Sequence, residues 1–301
     1  PDSFFCRGWI EGVTRYDRAT GAITFDGSMR PACMDGMVPA NGLLYSGPWL
    51  CDCNLSIMGA IAQCSAKDFD PASIQGERVA YSDRPVRIPE GWVDRADWYA
   101  YRGGNEHSGA SQAGLSRALL PLWTWNPEQK PSKGAESFPT APVTGWGKIF
   151  VAGEDGKVRA FDAATGMLAW TYSVSGPIMQ SPTLWKGRVF VGSGNGYVDA
   201  IEADTGQPLW RFRAAPVERR TMIYGFLNST WPVNSGIVVR DGIAYFAAGL
   251  IDYDGTYVYG VDAETGTLKW VNNTSGYVDA KIRKGVSAQG NLTLMKDKLW
   301  M

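Results

Sequence analysis

The stretch that decides the fold is Ala160-Phe161-Asp162-Ala163-Ala164-Thr165-Gly166-Met167-Leu168-Ala169-Trp170, which returns at residues 200–210 and 260–270 with its spacing intact. A weaker copy follows Tyr16 and ends in Phe25, where the other copies carry Trp. Self-similarity of this kind is the signature of repeat architectures and decides the architecture before any other argument does.

A second signature precedes each copy, namely two short β-branched and aromatic runs joined by Asp-Gly or Asn-Gly. These turns are Asp155-Gly156, Asn195-Gly196 and Asp254-Gly255. Such runs predict strands joined by tight hairpins, and the Thr-Gly pair of each phrase adds a further turn. Each unit is therefore expected to be a meander of four antiparallel strands.

One four-stranded sheet cannot bury both of its faces alone, whereas radial stacking of such sheets does so. The sequence therefore predicts an all-β fold, a β-propeller of four-stranded antiparallel blades. The Trp residues that close the units are expected to plug the space between blades: Trp123, Trp170, Trp210 and Trp270.

Composition favours a globular protein, with 45% hydrophobic and 20% charged residues. The net charge of −1 gives no reason to expect nucleic acid or an anionic membrane as partner. No apolar run approaches the length of a transmembrane helix. Residues 291–301 form one strand, a turn and the start of a partner strand, so we expect about four to five blades of a longer propeller. The partner is then another protein chain or the remainder of the propeller.

The five cysteines all lie within the first 64 residues: Cys6, Cys33, Cys51, Cys53 and Cys64. Clustered cysteines in a Trp- and Gly-rich β protein indicate disulfides and an oxidising compartment. Cys51 and Cys53 are weak candidates for a metal pair, but no second close pair or neighbouring His supports them. The expectation is therefore that no metal is bound.

Residues 66–118 break the repeat rhythm and are expected to form an ordered crossover from one blade to the next. This region holds the single histidine, His107, in a Gly- and Ser-rich turn. With one His, a Ser-His-Asp site is restricted to that position. A structural or solvent-exposed role is favoured for His107.

The repeated phrase resembles the PQQ-like propeller repeat of quinoprotein alcohol dehydrogenases and of the outer-membrane assembly lipoprotein BamB. The closer resemblance is to a bacterial group of PQQ-binding-like propellers, common in planctomycetes. Three further stretches carry it: Cys33 with residues 39–45 and 51–53; residues 97–102 with Ser108-Gly109; and residues 210–216 with Arg219-Arg220 and residues 231–233.

The resemblance implies an exported, periplasmic or extracellular, eight-bladed propeller. On this basis the chain divides into Cys-containing N-terminal blades over 1–66, an irregular crossover over 67–118 and PQQ-like blades over 119–301. Quinoprotein dehydrogenases carry adjacent cysteines beside the quinone and hold calcium with Glu, Asn and Asp in the channel. This sequence has no Cys-Cys pair, and no motif in it matches those ligands.

The long insertion between the second and third copies is the first candidate site. Arg219 and Arg220 would grip a carboxylate or phosphate, since guanidinium binds such groups bidentately. Tyr224 and Trp231 would stack on a sugar or aromatic ring. The alternative is that the arginines pair with Glu218 or with a neighbouring blade.

A second candidate site comprises polar residues that precede the predicted innermost strands and would face the channel: Gln180, Ser181, Asn234, Ser235, Ser287 and Gln289. The alternative is hydrogen bonding within turns and at strand ends.

Three functions follow. The favoured one is an exported, non-catalytic propeller that binds or assembles with another protein or envelope component, without a cofactor or catalytic residues. The first alternative is an oxidoreductase that uses PQQ and calcium. The second is a carbohydrate-binding or carbohydrate-active propeller with Trp231 and Tyr224 as its platform.

Overall fold

The computed structural model describes residues 2–8, 12–26, 36–49, 59–64, 78–83, 88, 96–115, 117–126, 139–223, 225–250, 254–274 and 286–301. In these ranges the regular structure is β-sheet, apart from one 3-10 turn at Tyr101–Gly103. No helix in this part of the chain has the length and hydropathy needed to cross a bilayer. The prediction of an all-β fold is confirmed.

Two three-stranded antiparallel sheets lie at the N-terminus. The first consists of β1 (Ser3–Arg7), β2 (Val13–Asp17) and β3 (Ile23–Asp26), and the second of β4 (Val38–Ala40), β5 (Leu43–Trp49) and β6 (Gly59–Cys64). Val13 of the first sheet shares a small apolar cluster with Leu44 and Ile61 of the second. The domain boundaries at residues 66 and 118 stay predictions.

Three four-stranded antiparallel blades follow, and each carries one copy of the repeated phrase. The first repeat blade is β8 (Val143–Gly145), β9 (Lys148–Ala152), β10 (Lys157–Asp162) and β11 (Leu168–Ser173). The second is β12 (Thr183–Trp185), β13 (Arg188–Gly192), β14 (Tyr197–Glu202) and β15 (Pro208–Arg213). The third is β18 (Val238–Arg240), β19 (Ile243–Ala248), β20 (Tyr257–Asp262) and β21 (Leu268–Asn272).

The remaining strands lie beside this series. An added strand, β7 (Val79–Tyr81), pairs with β15 and makes the second repeat blade five-stranded. The hairpin of β16 (Arg220–Ile223) and β17 (Phe226–Ser229) is the predicted insertion between blades. The hairpin of β22 (Thr293–Met295) and β23 (Lys298–Trp300) follows the third repeat blade.

The first strand of each blade is the innermost one. Strand β12 lies beside both β8 and β18, and the Thr183 hydroxyl donates to the Ile237 carbonyl just before β18 (2.6 Å). The inner strands of successive blades therefore stand side by side, as in a propeller. The predicted architecture of propeller blades is confirmed; the total of eight stays a prediction.

The core lies between the faces of successive blades. One cluster joins the first and second repeat blades, and a larger one joins the second and third. Within them, Phe150 packs on Trp170 and Phe190 packs on Trp210, with ring centroids 5.8 Å and 5.7 Å apart. Burial of these large side chains is the main force that holds the blades face to face.

Three of the four predicted tryptophans, Trp123, Trp170 and Trp210, reach the Thr-Gly turn of the blade that follows them. The Trp170 indole N–H donates to the Ala203 carbonyl (3.1 Å) and its ring covers Gly206, where a Cβ would lie 2.6 Å from the ring. The same two contacts join Trp123 to Ala163 and Gly166, and Trp210 to Ala263 and Gly266. Each of these tryptophans thus links neighbouring units.

Trp270 differs from the other three. It is 39% exposed, and its ring lies against Gly260 and Tyr245 of its own blade. Among the described residues it reaches no Thr-Gly turn of a following blade. Its predicted role as a plug between blades stays a prediction.

The first acidic residue of each phrase shapes the Thr-Gly turn. The Asp162 carboxylate accepts hydrogen bonds from the Thr165 N–H and hydroxyl, both at 2.8 Å. These hydrogen bonds lower the pKa of Asp162 below its usual value. Asp17 accepts the equivalent pair of bonds, Asp262 accepts from the Thr265 N–H, and Glu202 replaces Asp in the second repeat blade. Local side-chain bonding of this kind explains why the motif forms a turn.

Candidate functional site

Residues 96–109, here called the axial segment, run along the inner strands of the blades. In the first repeat blade the Thr144 N–H donates to the Trp98 carbonyl (2.9 Å). In the second, the Leu184 N–H donates to the Tyr99 carbonyl (2.8 Å). Two consecutive residues of the segment therefore bond to two consecutive blades.

Asn105 continues the series farther along the segment. Its side-chain amide donates to the Val239 carbonyl of β18 (2.7 Å), and its own carbonyl accepts from the Leu294 N–H of β22 (3.0 Å). The axial segment thus bonds to the middle residue of each inner strand in the repeat region. This part of the segment contacts four successive units. The assignment of residues 67–118 as a crossover stays a prediction.

The ordered shape of the axial segment comes from its own aromatic and polar contacts. The Tyr101 and His107 rings pack edge to face at 5.4 Å, and His107 Nδ1 lies 3.1 Å from the Thr293 hydroxyl. Burial, followed by the charge of Arg102, lowers the pKa of His107. Arg102 and His107 both have left-handed backbones, with φ of 51° and 50°. These contacts place His107 in the structural framework of the segment.

The predicted channel-facing residues meet in a cluster where the inner strands begin. The Asn291 amide donates to the Gln180 side-chain carbonyl (2.8 Å), and the Asn234 amide donates to that of Gln289 (3.3 Å). The remaining members hydrogen-bond nearby or are buried: Ser235 bonds to Ala247, Ser287 to Leu250, and Ser181 is buried. Residues from three successive units are therefore brought together, including Asn291, which the sequence analysis did not select.

This strand-start cluster consists of neutral amides and hydroxyls. Their hydrogen bonds run mostly to one another and to backbone carbonyls, and one buried oxygen, Asn234 Oδ1, lacks a partner. Calcium in proteins takes six to eight oxygen ligands, with carboxylates prominent among them. No group of three His, Cys, Asp or Glu side chains occurs in the described ranges. These residues do not fit calcium with PQQ.

Arg219 and Trp231 flank the insertion hairpin. Both bond to Asp254 and do not form an exposed binding surface. Arg219 donates to the Asp254 carboxylate (2.8 Å) and lies over the Trp231 ring at 4.6 Å. The Trp231 side chain is fully buried, and its indole N–H donates to the Asp254 carbonyl (2.7 Å). The prediction that Trp231 forms a sugar platform is therefore wrong, because no face of the ring reaches solvent.

The first candidate site has two further predicted members, Arg220 and Tyr224. Arg220 is exposed and lies 3.6 Å from the Glu218 carboxylate. Tyr224 lies outside the described residues. The alternative in which the arginines pair with Glu218 and with a neighbouring blade matches the observed ion pairs.

Two of the five cysteines lie among the described residues. Cys6 and Cys64 are exposed and carry free thiols. Cys33, Cys51 and Cys53 lie outside the described residues, so the predicted disulfides and the weak metal pair stay predictions.

A buried carboxylate lies between the first and second repeat blades. Asp199 is fully buried and accepts from the Arg211 Nε–H (2.7 Å) and from the Tyr172 hydroxyl (2.8 Å), both on Oδ1. Its Oδ2 has no partner. Burial raises the pKa of Asp199, although Arg211 and Tyr172 act in the opposite direction. The sequence signal was a charged residue in the middle of a buried strand, cross-strand from an arginine.

The raised pKa makes a pH-dependent prediction for Asp199→Asn. At neutral pH the ionised carboxylate opposes folding, and this cost disappears as the pH falls through the folded-state pKa toward the unfolded value. We expect wild-type protein to gain stability over the variant on acidification, by about 1.4 kcal/mol per pH unit between the two pKa values. Urea denaturation of both proteins from pH 7 to pH 4 measures this. A loss of wild-type stability relative to the variant on acidification would show that the Arg211 bond outweighs burial.

An exposed apolar segment, residues 117–126, precedes the first repeat blade. Trp123 docks on Gly166, and Trp125 packs on Phe161 with ring centroids 5.1 Å apart. Leu119, Leu120 and Leu122 are 71%, 88% and 76% exposed. In the described part of the chain, residues 119–126 belong to no sheet. Sequence reasoning identified Trp123 but not this exposed surface.

Comparisons with known proteins agree with the repeat geometry. Residues 120–225 match the family model described as outer membrane protein assembly factor BamB. A search of curated protein sequences gave no match.

Two solved structures are similar over part of the chain. Quinohemoprotein alcohol dehydrogenase from Comamonas testosteroni is 22% identical, with 60% of this chain and 28% of that chain covered and a TM-score of 0.46. BamB from Moraxella catarrhalis is 20% identical, with 52% and 43% covered and a TM-score of 0.37. The chain spans less than half the length of either structure. The docked tryptophans and the match over residues 120–225 show that this part of the chain is similar to PQQ-like β-propeller repeats.

Proposed function

We propose that this protein is a non-catalytic propeller that binds another protein through its exposed segment, residues 117–126. The observation that carries the proposal is the leucine-rich part of this segment, residues 119–126, fixed in the place of a blade's outermost strand and belonging to no sheet in the described part of the chain. An open strand edge is a template for pairing with another chain. The match to an assembly factor supports the same class of function.

The position of the segment follows from Trp123. This residue makes the contacts that Trp170 and Trp210 make from the outermost strands β11 and β15. The residues around it also agree, since Pro121-Leu122-Trp123 matches Pro208-Leu209-Trp210. The segment therefore occupies an outermost-strand position.

The strand register of the complete blades shows which type of residue lies opposite the tryptophan of an outermost strand. Trp170 lies opposite Ala160, Trp210 opposite Ala200, and Trp270 opposite Gly260. The residue opposite Trp123 must likewise be small. We infer that the occupant is an antiparallel strand of another polypeptide, apolar at alternate positions and with Ala or Gly facing Trp123. Burial of each exposed leucine would contribute roughly 1.5–3 kcal/mol.

Two features support a binding role over the alternatives. The axial segment hydrogen-bonds to the inner strands. The strand-start cluster consists of amides and hydroxyls, whereas an oxidoreductase that uses PQQ and calcium needs carboxylates to bind the calcium ion. The buried Trp231 removes the platform proposed for carbohydrate. An exported location stays part of the proposal, supported by the outer-membrane assembly family that the repeats match.

Binding of a strand peptide tests the proposal. A fluorescent peptide copying Lys157–Asp162, which places Ala160 opposite Trp123, is expected to bind the protein saturably. The double variant Leu120→Asp/Leu122→Asp is expected to bind at least about tenfold more weakly, since it loses apolar burial on both side chains. Fluorescence anisotropy measures both affinities.

Two controls distinguish strand pairing from non-specific hydrophobic binding. The variant Met167→Asp changes another highly exposed apolar side chain and should bind like wild type. A peptide with Trp in place of Ala160 should not bind, because it would meet Trp123. Equal binding of both peptides, or equal binding by the double variant, would refute this surface.

A further inference from the structure

A second charged site lies at the outer edge of the second repeat blade and takes no part in the proposed strand pairing. Arg78 directly precedes β7 and is only 7% exposed. One nitrogen of its guanidinium, Nη1, donates to the Arg213 carbonyl (2.7 Å) and lies 3.4 Å from the Tyr259 hydroxyl. The Tyr259 hydroxyl itself donates to the Ala214 carbonyl (2.6 Å), which fixes this corner of the site.

The other edge of the same guanidinium is unused. Arg78 Nε and Nη2 are buried and have no hydrogen-bond partner. These two N–H groups point the same way in the planar fork, which is the arrangement that receives two oxygens of one carboxylate or phosphate. A buried charge without an ionic partner is costly, so two unpartnered N–H groups on one edge favour an anion beside them.

The charged residue that acts on Arg78 is another arginine, Arg213. No ion pair joins Arg78 to a carboxylate in the described ranges, and the nearby charge of Arg213 adds to the positive potential. Burial, with the charge of Arg213, lowers the pKa of Arg78. Arg188 provides a contrast, because burial lowers its pKa as well but the carboxylates of Glu264 and Asp262 oppose that shift.

We propose that the Nε–Nη2 edge of Arg78 is a binding site for an oxyanion, a carboxylate or a phosphate group, held bidentately beside Arg213 and Tyr259. The ligand neutralises a charge that the described residues leave uncompensated. Its binding therefore stabilises the folded protein, in proportion to its concentration relative to the dissociation constant.

Anion titration of the full chain tests the proposal. The midpoint of thermal unfolding is measured at constant ionic strength while sodium chloride is replaced by sodium acetate or by inorganic phosphate. A saturable rise with either anion is expected for wild-type protein. A larger rise with acetate would identify a carboxylate ligand, and a larger rise with phosphate would identify a phosphoryl ligand.

Variants locate the effect at Arg78. Arg78→Met is expected to abolish the saturable rise, and Arg78→Lys, which keeps the charge but loses the fork, to weaken anion binding at least tenfold. Arg188→Met should keep the wild-type response. If Arg78→Met does not fold, calorimetric titration of folded wild-type and Arg78→Lys protein with the same anions gives the comparison. Absence of a saturable response in wild type, or an unchanged response in Arg78→Lys, would overturn the proposal.

Discussion

Replacing Trp210 by alanine is expected to lower the free energy of unfolding by about 4 kcal/mol, within the range for buried Trp-to-Ala changes. The side chain is 2% exposed and fills the space between the second and third repeat blades. Its ring packs on Phe190 and covers Gly266 of the next blade. The substitution thus removes a large apolar surface and leaves a cavity that two rigid sheets cannot close. Urea denaturation, followed by circular dichroism and by Trp fluorescence, measures the change.

Trp270 supplies the matched control for this experiment. It occupies the equivalent strand position but is 39% exposed and contacts only its own blade among the described residues. We expect Trp270→Ala to cost roughly 1 kcal/mol, as substitutions outside the core do. Equal losses for the two variants would mean that docking onto the next blade contributes little to stability.

Gly206→Ala is expected to destabilise the protein by about 3 kcal/mol, through two separate causes. The residue has φ of +75°, which costs an L-residue roughly 1–2 kcal/mol. A Cβ there would also lie 2.6 Å from Cδ2 of Trp170, and overpacking of this kind typically costs 1–3 kcal/mol. The docked indole would have to move away from the Ala203 carbonyl to which it donates. Chemical denaturation of the variant measures the total.

Gly242→Ala separates the two causes. Gly242 has φ of +77°, but nothing lies within 4 Å of the position its Cβ would take. We expect about 1 kcal/mol for this variant, from the backbone alone. If Gly206→Ala cost no more than Gly242→Ala, the contact between Trp170 and the turn would be loose enough to absorb a methyl group.

The repeated phrase made the blades predictable because its residues act locally. Asp162 and Thr165 form the turn through their own hydrogen bonds, and the strands on either side alternate in the usual way. The interval from this turn to Trp170 then fixes which side chain reaches the neighbouring blade. Fold class, blade composition and the contacts of three tryptophans follow from these short-range rules.

The candidate sites were harder to predict, because their contacts join residues far apart in the chain. Nothing in the sequence near Trp98 or Asn105 marks them as bonded to inner strands, since the atoms involved are largely backbone groups. Trp231 was expected to be accessible because it lies in the long insertion between the second and third copies of the repeated phrase. Its burial depends on the Asp254 carbonyl that its indole meets. The strand-start residues were selected because they precede the predicted innermost strands, and their predicted orientation toward the channel stays a prediction.

The axial segment also sets conditions on how the protein reaches its native state. Tandem repeats usually need only their neighbours, so they assemble stepwise from any starting point. The axial segment precedes the repeats in the chain and is hydrogen-bonded to β8, β12, β18 and β22. Its bonds to these strands can therefore be completed only after β22 has been synthesised. Closing so long a loop is slow, since folding rates fall as contacting residues become more distant in the chain. The described hydrogen bond between Asn105 and Leu294 can form only once residue 294 has been synthesised, so the axial segment cannot complete its bonds to these four strands before then.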